Sequence, residues 1–370
     1  MKTLGIAIAV SLALGCAPTL PRAYLEARSA AERSYVAGRY DEAAERWLEA
    51  AKVAGSPRDQ REATYRAAAS YTRAGRHEQA AGLYRQLILD APRSDRAARA
   101  AFELALDEIR RGSADAGYAK LQAFVERYPT SGLAKPAFQR LMAWKMDSGG
   151  ASAALAWLDG WLPRLDRTEM AEQAHYAYAR ALEAAGRLAD AKRRFEYVAE
   201  RFPYPSGALW DDSLWELSLI DEQLGDYRAA IAVLERMLAE QEPSGMNGSY
   251  ERPRYAPARF RIAVLYRDRL KDAAAARRAF HAVWTHHPTS LLRDDALWNE
   301  ALLAREAGDE AAACRALGEL ARGLPDSRYV PCASTLCASM PAPTAERPCR
   351  DYVAREARQA LGLGGDDGEP

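Results

Sequence analysis

The stretch "AGRHEQAAGLYRQLILDAP", residues 74–92, carries the spacing of a helix between two chain reversals. Ala80, Tyr84 and Leu87 are four and three residues apart, so they lie on one face of a helix. Gly75 suits the left-handed position that follows a preceding helix, because glycine adopts it without steric cost. Pro92 cannot continue a helix and ends this one. The stretch therefore predicts the second helix of a helix pair.

The same pattern recurs along the chain. The glycine position is occupied, with a spacing of 37 residues over the first five copies, by Gly38, Gly75, Gly112, Gly149, Gly186, Gly225, Lys271 and Gly308. A small residue follows five positions later, at Ala43, Ala80, Gly117, Ala154, Ala191, Ala230, Ala276 and Ala313. A bulky residue follows four positions after that, at Trp47, Tyr84, Leu121, Leu158, Phe195, Leu234, Phe280 and Leu317. A fixed period of this length is typical of solenoids, and it predicts eight helix pairs over residues 24–325.

The order of glycine, small residue, bulky residue and closing proline resembles the tetratricopeptide repeat. The usual period of that repeat is about 34 residues, and a longer turn after the proline accounts for the difference. The resemblance implies an all-α fold, a right-handed α-solenoid of about eight helix pairs. Proteins of this kind present the first helix of each pair on a concave face that binds other proteins.

The fifth position of each first helix is the one that the resemblance places on the concave face. Counting back from the glycine positions gives Arg28, Tyr65, Phe102, Gln139, Tyr176, Trp215, Arg261 and Trp298. Aromatic and arginine side chains dominate binding hot spots, so we predict a partner-binding groove at Tyr65, Phe102, Tyr176, Trp215, Arg261 and Trp298. The alternative is that these side chains pack between neighbouring first helices.

The N-terminus "MKTLGIAIAVSLALGC" predicts an export signal. One lysine precedes an apolar run over residues 4–14, which is too short to span a bilayer and has the length of a signal-peptide core. The ending "ALGC" resembles a bacterial lipobox, although Ala13 stands where leucine is usual. This resemblance implies cleavage after residue 15, acylation of Cys16 and attachment to the periplasmic face of the outer membrane; plain secretion is the alternative. Residues 16–23 would form the linker.

Composition and motifs argue against catalysis and against nucleic-acid binding. Lys plus Arg and Asp plus Glu are equal at 51 each, so no global field attracts polyanions. The chain has no Gly-x-Ser-x-Gly, phosphate loop, dinucleotide fingerprint or His-Glu-x-x-His, and we expect no cofactor. His281 and His286 are five residues apart and do not share a helix face, so we interpret the histidines as packing or solvated rather than metal-binding.

Four cysteines lie near the C-terminus, at Cys314, Cys332, Cys337 and Cys349. An even number in an exported protein indicates disulfides, and the absence of Cys-x-x-Cys disfavours the alternative of a zinc site. If residues 331–341 formed a ninth first helix, the Cα atoms of Cys332 and Cys337 would be about 8.6 Å apart, too far for a disulfide. If this ninth helix ran antiparallel to the helix that carries Cys314, Cys314 would lie beside Cys337. Cys332 would then pair with the remaining cysteine, Cys349. We therefore predict these two pairs in capping helices at 326–362, before a disordered tail at 363–370.

One insertion interrupts the array. The stretch "EQEPSGMNGSYERPRYAP" makes the spacing between the sixth and seventh copies nine residues longer than the period. Its composition predicts a loop at 242–257, which either binds a partner or is a tolerated surface insertion.

Phrases such as "FVERYPTSGLAKPAFQRL" and "VWTHHPTSLLRDDALWNEAL" carry a further resemblance. They are similar to repeats of the tetratricopeptide lipoprotein of the β-barrel assembly machinery and of the periplasmic cell-division coordinator. The resemblance implies a non-catalytic scaffold, monomeric by itself, that binds a protein or peptide of an envelope complex for outer-membrane assembly, secretion or motility. The alternative is a peptidoglycan-directed module, which binds cell wall or recruits a synthase or hydrolase.

Overall fold

The computed structural model describes residues 20–240 and 252–363, and those ranges contain helices and connections without a strand. They divide into two compact units, one up to Ala171 and one from Glu172. The helices of the first unit are α1 (Arg22–Val36), α2 (Tyr40–Lys52), α3 (Pro57–Arg73), α4 (His77–Asp90), α5 (Asp95–Arg110), α6 (Ala114–Arg127) and α7 (Ala134–Leu165). Successive helices pack on one another from α1 to α7.

The second unit continues the pattern of paired helices and adds a C-terminal cap. Its helices are α8 (Ala171–Ala184, which begins one residue before the unit boundary), α9 (Leu188–Arg201), α10 (Trp210–Gln223), α11 (Tyr227–Ala239), α12 (Tyr255–Asp268), α13 (Ala273–His286), α14 (Arg293–Glu306), α15 (Glu310–Gly323), α16 (Ala333–Leu336) and α17 (Asp351–Ala360). The predicted fold class is confirmed: the described residues form an all-α solenoid with eight helix pairs and a disulfide-linked cap.

A left-handed residue ends the first helix of each pair, as the glycine spacing predicts. At the first copy Gly38 has φ +77°, and the amide of Arg39 donates to the carbonyl of Ser34. This is the Schellman motif, which satisfies carbonyls that the helix leaves unpaired. The degenerate copy keeps a left-handed residue at the same position, since Lys271 has φ +55° and is the one non-glycine residue with positive φ in the described ranges. Its closing hydrogen bond differs, because the amide of Asp272 donates to the carbonyl of Tyr266, six residues earlier.

The fourth copy differs by one residue from the prediction. Gly149 remains helical, and Gly150 is the residue with φ +69° that breaks α7 into the two helices of that repeat. Two adjacent glycines leave the position of the turn open in the sequence. In the structure the first half of α7 continues through Gly149, and the turn falls one residue later.

The small and bulky positions form the core between paired helices. Ala43, Ala191 and Ala313 are fully buried, and the other small positions are buried as well. The paired helices approach closely at Gly117, where a Cβ atom would lie 2.9 Å from the carbonyl oxygen of Ala105. Glycine is therefore the residue that this copy requires. The bulky residues one turn later, such as Phe195, are buried against the partner helix.

We expect the Lys271→Gly variant to be more stable than the wild type by about 1 kcal/mol, because the left-handed conformation is strained for residues with a Cβ atom. Urea denaturation of both proteins measures this difference in the free energy of unfolding. Gly308→Ala is the matched control, since it introduces a Cβ at the equivalent position, and it should lose about the same amount. A less stable Lys271→Gly variant would show that the lysine side chain contributes more than its backbone strain costs.

Two disulfides link the C-terminal cap to the last helix pair. The structure bonds Cys314 to Cys337 and Cys332 to Cys349, the same pairs that the sequence argument selects, with Cα–Cα distances of 5.2 and 4.8 Å. The predicted ninth helix is wrong in extent, however. A 3-10 turn at Val330–Cys332 leads into α16, which ends at Leu336, and Cys337 has an extended backbone. The disulfide draws Cys337 towards α15 and takes it out of the helix before Pro341 is reached.

Three predicted segments fall wholly or partly outside the described residues. The signal peptide at 1–15 and Cys16 lie outside them, as does most of the tail. Of the predicted loop at 242–257, residues 241–251 are not described, whereas Tyr255 begins α12 and Pro257 lies in its first turn. That part of the loop prediction is wrong, because proline is tolerated in the first turn of a helix, where its missing amide costs no hydrogen bond. The remaining domain boundaries stay predictions.

Candidate functional site

Two of the six predicted groove residues lie in the core. Phe102 is buried with its ring 5.5 Å from that of Phe124 on the paired helix. Trp298 is 1% exposed, stacks on Tyr329 at 5.0 Å, and donates its indole N–H to Glu356 at 2.9 Å. Neither ring presents a face to a partner, so the packing alternative describes these two positions and their assignment to the groove is wrong.

Tyr65 and Tyr176 are half-buried and lean on the bulky residue of their own helix pair. The ring of Tyr65 lies 5.9 Å from that of Tyr84, and the ring of Tyr176 lies 5.5 Å from that of Phe195. Burial raises the pKa of both phenols. Each tyrosine therefore combines a packing role with a partly accessible edge. The guanidinium of Arg96 covers the ring of Tyr65 at 5.0 Å.

In the second unit, Trp215 is half-buried between two arginines. Arg254 and Arg261 lie 5.1 and 5.8 Å from its ring, within the range of cation–π attraction. Arg261 is held by a two-pronged ion pair with Glu222, in which its Nη2 donates at 2.7 Å. The structure thus brings together two of the predicted groove residues, Trp215 and Arg261, with the charge of Arg261 already paired.

A cavity of about 1020 Å³ lies in the first unit. It is formed mainly by the first helices α1, α3 and α5 and by the connection at 130–133 that leads into α7. Ser56 and Ser94 cap α3 and α5 by accepting backbone N–H groups of Asp59 and Ala97. The N-terminal ends of these helices meet the cavity, and each contributes a partial positive charge there.

The side chains around this cavity, which we call the arginine cavity, carry an excess of positive charge. Seven arginines line it against four carboxylates. Two of those carboxylates are already in ion pairs: Arg28 pairs with Glu32 at 2.8 Å, and Arg66 and Arg96 share Glu62. Four of the lining arginines form no salt bridge with any carboxylate in the described part of the chain: Arg58, Arg61, Arg93 and Arg99.

Sequence reasoning did not single out these four arginines. A usable signal was present, since Arg61 and Arg99 lie about one helical turn before the groove positions Tyr65 and Phe102. Those offsets place them on the same face as the groove position but nearer the N-terminal end of each helix. The floor of the cavity is apolar, because Tyr24 and Trp47 are buried beneath it at 2% and 4% exposure.

The histidines examined for metal binding have protein partners. His281 Nδ1 lies 3.0 Å from Glu300, and Arg259 donates to Nε2 of the buried His287 at 3.0 Å. Burial lowers the pKa of His287 to about 4, so it is neutral near pH 7. Over residues 20–240 and 252–363 no cluster of three metal-ligating side chains occurs. Within the same ranges, no helix combines the length and apolar character needed to cross a bilayer.

A tetratricopeptide repeat model matches residues 62–94 and 257–290, each of which covers most of one helix pair, α3 with α4 in the first unit and α12 with α13 in the second. The chain therefore contains repeats of the tetratricopeptide type. No curated protein matches it.

Solved structures with a similar arrangement include three bacterial proteins. The C-terminal part of a TPR repeat-containing protein from Cytophaga hutchinsonii is 16% identical, with 72% of this chain and 98% of that one covered and a TM-score of 0.45. A tetratricopeptide repeat protein from Parabacteroides merdae is 13% identical, with 76% and 99% covered and a TM-score of 0.35. The pilF protein of Pseudomonas aeruginosa is 19% identical, with 63% and 94% covered and a TM-score of 0.38.

Proposed function

We propose that this protein is a non-catalytic scaffold that binds a protein partner within a bacterial envelope complex. Tetratricopeptide repeats serve protein–protein interaction, and the arginine cavity is the observation that carries the proposal. It is large enough to bury a peptide segment, it lies on the face formed by the first helices, and four of its cations form no salt bridge among residues 20–240 and 252–363. Tyr65 and its covering Arg96 extend the same face.

The proposed location is the periplasmic face of the outer membrane, with Cys16 as the lipid attachment site. Two lines of reasoning support it. The apolar run over residues 4–14 ends in Gly15 and Cys16, the arrangement of a lipoprotein signal. The two disulfides of the cap form and persist in oxidising compartments, to which an exported protein is delivered.

The Cys16→Ala variant tests the anchor. We expect the wild type to fractionate with outer membranes and the variant to appear in the soluble periplasmic fraction, because stable attachment requires the acyl chains. Immunoblotting of fractions separated on a density gradient measures the distribution. Ser11→Ala, which alters the signal core and leaves the cysteine, is the control and should remain with the membrane. A wild type released by low-salt lysis would contradict the anchor.

Site-specific photocrosslinking in cells tests the scaffold. A crosslinker at Gln139, an exposed groove position, or at Arg93 on the cavity rim should yield one discrete protein adduct. The matched control is Arg85, which is exposed on the second helix α4 and does not line the cavity. Adducts from Arg85 alone would place the interaction elsewhere. Sedimentation of the purified protein with cell wall, without any protein adduct, would favour the peptidoglycan-directed alternative.

A further inference from the structure

We infer that the arginine cavity recognises an acidic, extended peptide segment of the partner. This rests on the proposed function and adds the chemistry of the partner to it. The inference starts from the charge of the cavity compared with that of the whole chain. The chain is formally neutral, with 51 cationic and 51 anionic side chains, whereas the cavity has seven arginines and four carboxylates.

The four unpaired arginines are distributed so that a chain crossing the cavity meets them in turn. Arg58 and Arg61 come from the first turns of α3, Arg93 precedes α5, and Arg99 lies in its second turn. A planar guanidinium binds a carboxylate through two parallel hydrogen bonds, so arginine suits Asp and Glu side chains better than a point charge does. Spaced carboxylates on an extended peptide match spaced guanidiniums around a concave surface.

Other polyanions fit this cavity less well. A membrane surface presents its phosphates in a plane and does not enter the concavity between the arginines, although Arg58, Arg93 and Arg99 are themselves exposed. A single-stranded nucleic acid gains much of its affinity by stacking bases on exposed aromatic rings. The aromatic residues of the floor, Tyr24 and Trp47, are buried and offer no ring face for stacking, and Arg96 covers Tyr65. The cavity therefore supplies charge and guanidinium geometry without a stacking platform, as an acidic peptide requires.

The test is binding of a fluorescein-labelled ten-residue peptide of alternating Glu and Ser to the full-length protein in non-ionic detergent. We expect fluorescence anisotropy to show saturable binding that weakens as NaCl is raised. The double variant Arg61→Glu/Arg93→Glu should bind at least about tenfold more weakly. The control Arg85→Glu makes the same substitution at one exposed site outside the cavity, and it should bind the peptide as the wild type does. A Lys–Ser peptide should not bind.

Three results of the peptide assay would overturn the inference: no saturable binding of the Glu–Ser peptide, equal binding by the double variant, or tighter binding of a ten-nucleotide oligo(dT). Thermal melting followed by circular dichroism checks that the double variant folds. If it does not, Arg99→Gln provides the same comparison with a smaller change in charge. A photocrosslinked partner that is captured equally by wild type and double variant would leave the scaffold in place and reject the acidic segment. Absence of any partner adduct would instead reject the scaffold itself.

Discussion

Replacing Trp298 with alanine should lower the free energy of unfolding by about 3–5 kcal/mol, the usual range for removing a buried tryptophan. The indole is almost completely buried, its ring stacks on Tyr329, and its N–H donates to Glu356 on α17. The truncation removes apolar contacts and leaves a cavity. It also removes the donor that Glu356 uses, so the cap loses a connection to α14. Urea denaturation followed by circular dichroism measures the change.

Trp215→Ala is the matched comparison, because Trp215 occupies the equivalent position of an earlier repeat and is only half-buried between Arg254 and Arg261. We expect it to lose less than half as much stability as Trp298→Ala. Equal losses in the free energy of unfolding would mean that both tryptophans pack in the core. That result would contradict a binding role for Trp215. A small loss at Trp298 would contradict the buried packing described here.

Removing the disulfide between Cys332 and Cys349 with paired alanine substitutions should cost about 3 kcal/mol of stability, by the loop-closure entropy of a bridge that spans 17 residues. The bridge between Cys314 and Cys337 spans 23 residues and should contribute a similar amount. The two loops overlap in sequence, so their effects are not expected to add. The destabilised element is the cap, which has no further repeat to pack against.

Peptide mapping without reductant establishes the linkage before any variant is made. Fragments joining Cys314 to Cys337 and Cys332 to Cys349 are expected. A fragment joining Cys332 to Cys337 would contradict the structure of the cap. Treatment with dithiothreitol should lower the melting temperature of the wild type and leave that of the four-cysteine alanine variant unchanged, which separates loss of the bridges from other effects of the reagent.

Features contained within one helix pair could be predicted from the sequence. The left-handed turn at Gly75, the buried Ala80 and the buried Tyr84 depend on residues within a single period, and even Lys271 was assigned correctly to its degenerate copy. The turn at Gly150 was displaced by one residue because two glycines are adjacent and either one permits the backbone. The residues within one period thus determine the turn and the core of a helix pair. They leave undecided only choices between nearly equivalent positions, such as two adjacent glycines.

Features that depend on contacts between pairs could not be predicted. Position in the first helix suggested that Trp298 faces a partner, but Tyr329 and Glu356, 31 and 58 residues later, bury it. The arginine cavity combines side chains from several helices and connections, and the rotation from one pair to the next determines whether they converge. The early end of α16 follows from a disulfide to α15, a constraint that helix propensity does not contain.

The recurring left-handed turn also bears on how such a chain can change over generations. Gly38, Gly75 and Gly112 have similar φ angles and lie one period apart, so each of these periods begins and ends at the same kind of turn. A duplication or deletion in the gene that begins after one of these codons and ends with the next would therefore join compatible ends. Lineages can in this way lengthen or shorten the array by whole helix pairs, while the chemistry of each surviving pair is inherited intact.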